Sequence, residues 1–138
     1  MMMAENTLDL LICNTCGTQY CTSSRAELKT CRTCDDPRQY VPRTGQSFTT
    51  IGELKASNKY KNEFTKVDDT DDKFWSIKTE PQFAIGQRAI LVKSDQGNVL
   101  WDCITYLDED TITWVKKQGG LSAIVISHPH YYSTVGLL

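Results

Sequence analysis

Nowhere in this chain is there an apolar run approaching the roughly 20 residues that a membrane-spanning helix needs. The apolar cluster Leu8-Asp9-Leu10-Leu11-Ile12 is interrupted by a carboxylate and has no basic residue before it, so neither a signal peptide nor a membrane anchor is expected. A strong positive excess is also missing. The net charge of −2 lacks the basic balance of a dedicated nucleic-acid binder, and nucleic acid is not an expected partner. There is no internal repeat and no low-complexity tract. These absences point to the cytosol or nucleus, where the six cysteines read as thiolate ligands and free thiols rather than disulfides.

Within 138 residues there is room for one ordinary domain, or for an incomplete domain behind a small module. Composition divides the chain. Residues 1–12 read as a tail leading into a strand. Residues 13–45 are dense in Cys, Thr, Asp, Pro and Gly, as in a module held together by something other than an apolar core. Residues 46–72 read as a helix opened by the capping box at Thr50 and Glu53 and running to about Glu63, followed by the acidic connector 68–72. Residues 73–138 form the remainder. There, Lys73–Ile77 and Gln82–Gly86 read as short strands, and 89–93 pairs with 99–104 across a turn in which Gly97 takes a positive φ. A helix from Asp108 to Gln118 has acids in its first turn, lysines in its last and Gly119-Gly120 beyond. The apolar run 122–127 then reads as a strand buried on both faces.

Cys13-x2-Cys16 and Cys31-x2-Cys34 are two knuckles separated by 14 residues, a spacing that lets four thiolates close a tetrahedron around Zn²⁺. Such a site has no open position for substrate, so its expected work is structural. The bland alternative is four reduced cysteines packed as small hydrophobes. Cys21 reads as a spare thiol and Cys103 as core.

His128 and His130 stand at i and i+2 where the last strand emerges. On an extended segment both rings would face the same way and could share one metal ion, a candidate catalytic zinc. The alternative is one packed and one exposed imidazole. Asp102, near the end of the hairpin's second strand, is placed to orient a ligand or a metal-bound water from behind, or is a solvated strand-end acid.

The stretches Gly86-Gln87-Arg88-Ala89-Ile90-Leu91-Val92, Gly97-Asn98-Val99-Leu100-Trp101-Asp102 and 119–133 together resemble the first half of a metallo-β-lactamase-fold protein. The cysteine module, with 31–34, 36–42 and Gly45-Gln46, is similar to that of fungal members of the superfamily. The fold this resemblance implies is α+β: a zinc-ribbon-like module followed by the first half of an αββα sandwich. The activity it implies is zinc-dependent hydrolysis of an ester, amide, thioester or phosphodiester by metal-bound hydroxide, on a small-molecule substrate not identified by the sequence. Only His128 and His130 match the pattern His-x-His-x-Asp-His; Tyr132 stands at its Asp and Ser133 at its next His. The chain alone is therefore expected to be inactive.

A half-sandwich also leaves one sheet face bare. Five exposed aliphatic side chains at about 1.5–3 kcal/mol each would forgo on the order of 10 kcal/mol. Self-association through that face is the expected consequence. A competing reading treats the cysteine module as a binding module that presents Arg25, Arg32, Arg38 and Arg43 to a protein or nucleic-acid partner, with the rest as scaffold.

Overall fold

The computed structural model describes residues 7–131, 133, 134 and 138. The fold is mixed α+β, dominated by strands. Strands β1 (Ile12–Cys13) and β2 (Phe48–Thr49) pair antiparallel and close the cysteine module. Helix α1 (Ile51–Ala56) follows, and then a five-stranded sheet in the order β3 (Lys61–Asp68), β4 (Asp71–Glu80), β5 (Arg88–Val92), β6 (Val99–Trp101), β7 (Ala123–Val125). Helix α2 (Glu109–Lys117) connects β6 to β7, which run parallel, so β6-α2-β7 is a crossover unit that lays its helix on one sheet face.

The best-signposted elements form where their local chemistry places them. Asp108 caps α2, its Oδ1 accepting the Thr111 N–H at 2.8 Å, and beyond the helix the Gly120 N–H returns to the Val115 carbonyl at 3.0 Å. The expected β5–β6 hairpin forms, with Leu91 opposite Leu100. Gly97 has φ +123°, and a Cβ there would collide with the Ser122 hydroxyl.

Trp114 fastens α2 to the sheet by stacking on Phe64 at 4.3 Å and meeting Trp75 edge-on at 5.4 Å. Beneath it lie Ile77, Ala89, Leu91, Leu100, Cys103, Ile104 and Leu107, the main core. A second cluster, with Ile12, Ile51, Leu54, Phe83 and Tyr106, joins the cysteine module and α1 to the sheet.

Four boundary expectations are corrected. Leu11 and Ile12 are fully buried, so the expected tail ends earlier and the module extends from at least Leu11 to Thr49. Helix α1 stops at Ala56 because Ser57 turns its hydroxyl onto the Leu54 carbonyl and Asn58 takes φ +51°. Glu63 lies in β3 instead. The acidic stretch 68–72 is the turn of the β3–β4 hairpin rather than a connector: Asp68 Oδ1 accepts the Thr70 N–H at 2.9 Å, and Asp72 pairs with Lys93. Residues 61–68 thus belong to the sheet, and no module boundary falls at 72. Gln82–Gly86 is a turn that buries Phe83, closed by the Gly86 N–H on the Phe83 carbonyl at 3.0 Å.

Strand β7 corrects a fifth expectation, burial on both faces. It is an edge strand whose Ile124 faces the main core while Ala123 and Val125 are exposed. Pairing carries the apolar residues Ile90, Val92, Val99, Trp101 and Val125 onto the sheet face opposite α2. None of these five belongs to a buried cluster.

Candidate metal centre

All four knuckle cysteines are buried, and their Sγ atoms lie within 4.8 Å of one another. Cys13 and Cys34 are 3.9 Å apart, Cys16 and Cys31 3.6 Å. Around Zn²⁺ at about 2.3 Å from each sulfur, the edges of a tetrahedron are about 3.8 Å. These two separations match such edges, and the tetrad could hold a metal ion such as zinc. A disulfide would need sulfurs about 2.05 Å apart.

Local structure builds this cage. In the first knuckle the Gly17 N–H returns to the Cys13 carbonyl at 2.8 Å; in the second the Cys34 and Asp35 N–H groups return to Cys31 at 3.1 and 2.9 Å. The Tyr20 hydroxyl donates to Cys31 Sγ at 3.0 Å, and Thr18 Oγ1 lies 3.2 Å from Cys16 Sγ. Gln46 Oε1 accepts the Cys31 N–H at 2.6 Å. Such contacts fix ligand orientation and temper thiolate charge.

Without a metal the thiols hydrogen-bond to one another in pairs, Cys13 with Cys34 and Cys16 with Cys31. Hydrogen bonds from Cys13 and then Cys16 hold the Cys31 thiol far below the ordinary thiol range. The proton shared with Cys13 and then with Cys31 drives Cys16 far above it. Burial pushes Cys34 up to about 12.

The histidines are brought together, but on a different backbone from the one expected. Pro129–Tyr131 is a 3₁₀ turn, closed by the Tyr131 N–H on the His128 carbonyl at 2.9 Å. Pro129 opens it because its fixed φ suits a first helical position. The two rings stack at 4.6 Å, with Nδ1 to Nδ1 2.8 Å. A zinc ion shared by the two would need these nitrogens about 3.3 Å apart with both in-plane lone pairs converging on it, so the near-parallel rings would have to part and turn. Unmetallated, one ring donates to the other. Burial and the neighbouring His128 lower the pKa of His130, with Cys31 acting in the opposite sense. Among the described residues no third ligand joins the pair, and the cysteine tetrad is the one group of three or more that could hold a metal.

Asp102 touches neither ring directly. Its buried carboxylate accepts the Ser127 N–H and hydroxyl, each at 2.8 Å, from a backbone at φ +62°. It anchors the residue before His128, and the expected solvated strand-end acid is not found. Ser133 turns inward and donates to the Ile104 carbonyl at 3.0 Å, so it faces the core. Tyr132 lies outside the described residues.

Cys21 is exposed and Cys103 is buried in the core, its thiol pushed up to about 11 by burial. Of the module's arginines, Arg25 is paired with Glu53 at 3.0 Å and Arg38 with Asp36 at 2.8 Å. Tyr20 and Thr105 support these sites without having stood out in the sequence, and Gln46, Gln87 and Ser127 lay in the resembling stretches with no role assigned to them. Gly17 alone carried a signal, as a glycine directly after a knuckle cysteine.

No helix among the described residues is long and apolar enough to cross a membrane. No protein-family profile matches the chain, and no solved structure matches it. The chain is 46% identical over 123 residues to a Bacillus subtilis (strain 168) protein described as uncharacterized protein YmaE. That match takes in 89% of this chain but 43% of the relative, so the chain spans less than half the length of the protein it resembles.

Proposed function

We propose that this chain is the metal-organised N-terminal portion of a metallo-β-lactamase-like hydrolase: a structural zinc ribbon joined to half of an αββα sandwich, carrying two of the ligands of a hydrolytic zinc site. The observation that carries this reading is the pairing of His128 and His130, Nδ1 to Nδ1 at 2.8 Å, beyond the carboxyl end of β7. That is where sheets with parallel strands place their sites. The length of the Bacillus relative supports it too, since more than half of that protein lies outside the matched stretch.

In the ribbon, Cys13, Cys16, Cys31 and Cys34 hold the ion, and its role is to fold a segment of little apolar content. In the second site, His128 and His130 supply ligands while Asp102 fixes Ser127 and so the approach of the turn. Thr134 holds the far side of the turn by donating to the Ile104 and Thr105 carbonyls at 3.0 and 2.9 Å. Zinc bound there would supply polarisation of a scissile bond and activation of water. A catalytic zinc takes about three protein ligands, so two imidazoles bind it weakly until further polypeptide contributes.

Metal analysis tests both sites. The purified chain is expected to hold about one zinc tightly, with a second ion that a chelator removes readily and that His128→Ala abolishes. A second-ion affinity unchanged in that variant rejects the ligand assignment. Turnover of an ester, thioester and phosphodiester panel by the full-length Bacillus relative is expected for at least one class. No turnover of any rejects the hydrolase reading.

A further inference from the structure

The two candidate metal sites are not separate. Gln87, on the segment leading into β5, is buried to 95%, and its side-chain amide lies between them. Its Nε2 donates to the Cys16 carbonyl in the first knuckle and, at 3.1 Å, to the His130 carbonyl in the histidine turn. Thr105 makes a second tie: its hydroxyl donates to the Gly17 carbonyl at 3.0 Å, and its own carbonyl accepts from Thr134 at 2.9 Å. Gly17 permits this approach, because a Cβ there would meet the Thr105 hydroxyl and stand 2.8 Å from Gln87 Nε2. The knuckle is thus keyed into the same two residues that hold the histidine turn from behind, Gln87 through its side chain and Thr105 through its hydroxyl on one side and its backbone carbonyl on the other.

We propose that Gln87 is a positioning residue that carries the occupancy of the four-cysteine site to the histidine turn, so that His128 and His130 are set in place only while the tetrad holds its metal. The physical reason lies in the two carbonyls. A metal in the tetrad fixes the backbone of residues 13–17, and with it the direction of the Cys16 carbonyl. Losing the metal frees that carbonyl, and a buried amide whose two N–H groups are matched to two carbonyl acceptors then loses one of them. An unsatisfied buried donor is costly, because it has given up its water without gaining a partner. That cost favours a rearrangement in which the His130 carbonyl is released. The inference builds on the reading of the histidines as ligands, but its test needs no second metal.

The test loads the full chain with one equivalent of cobalt(II), which takes the thiolate site and serves as a paramagnetic centre. In the unsubstituted protein the His130 ring protons are expected to show a resolved pseudocontact shift, because the turn sits at a fixed position relative to the cobalt. In Gln87→Leu the thiolate-to-cobalt absorption should be unchanged while that shift collapses toward zero. Unchanged absorption with an unchanged shift overturns the proposal, whatever the histidines bind. If Gln87→Leu loses the absorption, hydrogen exchange of the Gln87 side-chain amide in the unsubstituted zinc protein decides. Slow exchange that becomes fast after chelation is the expected result. Fast exchange in the zinc form, or protection that survives metal removal, overturns it.

Discussion

At the scale of single residues, the tetrad sets a clear pH dependence. Metal binding requires thiolates, while burial and shared protons leave Cys16 and Cys34 above the ordinary thiol value when no metal is present. Protons would therefore compete with zinc for these thiols, and a zinc-loaded module is expected to lose its ion as pH falls. His130 acts in the same direction. Its folded pKa lies below its unfolded value near 6.5, so the folded state binds fewer protons than the unfolded one, and stability declines as pH drops below about 6.5. Zinc retention against a fixed chelator should fall steadily between about pH 8 and about pH 6; flat retention over that range contradicts the scheme. Gly17 gives a second test. Its φ of +80° and the lack of space for a Cβ predict that Gly17→Ala destabilises the chain by at least about 1–3 kcal/mol, readable in denaturant unfolding of the zinc form.

At the scale of elements, Trp114 is the contact through which α2 holds the sheet. Trp114→Ala removes a stacked ring and an edge-on ring pair, with an expected loss of about 3 kcal/mol and of the near-ultraviolet circular dichroism of the tryptophans. A change below about 1 kcal/mol would mean that α2 is held elsewhere. This helix was legible in the sequence because its signals are local: Asp108 at one end, Lys116, Lys117 and two glycines at the other. The cysteine tetrad was legible for the same reason, since knuckle spacing carries the ligand geometry. Strand β3 was not. Its outward residues alternate Lys61, Glu63 and Thr65, and its turn is a run of acids whose side-chain-to-backbone hydrogen bonds no composition rule displays. The Gln87 bridge was invisible on the same grounds, because it joins residues 71 and 43 positions away. Strand β7 misled in the opposite sense: its apolar content suits a covered strand, yet only one of its faces is covered by the described residues.

At the scale of the whole molecule, that uncovered face has a measurable consequence. Trp101 is 47% exposed and Val125 40%, side by side in register, and Ile90 is half-buried beside Trp101. Farther along the same face, Lys78 and Glu80 form an ion pair at 2.8 Å, so apolar and charged patches of both signs share one surface. Two copies related by a two-fold axis can oppose apolar to apolar and acid to base, the self-complementarity that a symmetric pair requires. In a longer protein, further chain could occupy the face instead. For the chain as it stands, sedimentation should show mass rising with concentration, and Trp101→Lys should shift the distribution to monomer while the single tight zinc is retained. Trp101 faces away from the main core, so this substitution is expected to leave the melting temperature of the monomer nearly unchanged. A chain that sediments as a monomer at every concentration and melts in one sharp transition would mean that the exposed face is tolerated as it is, and the half-sandwich reading would lose its energetic support.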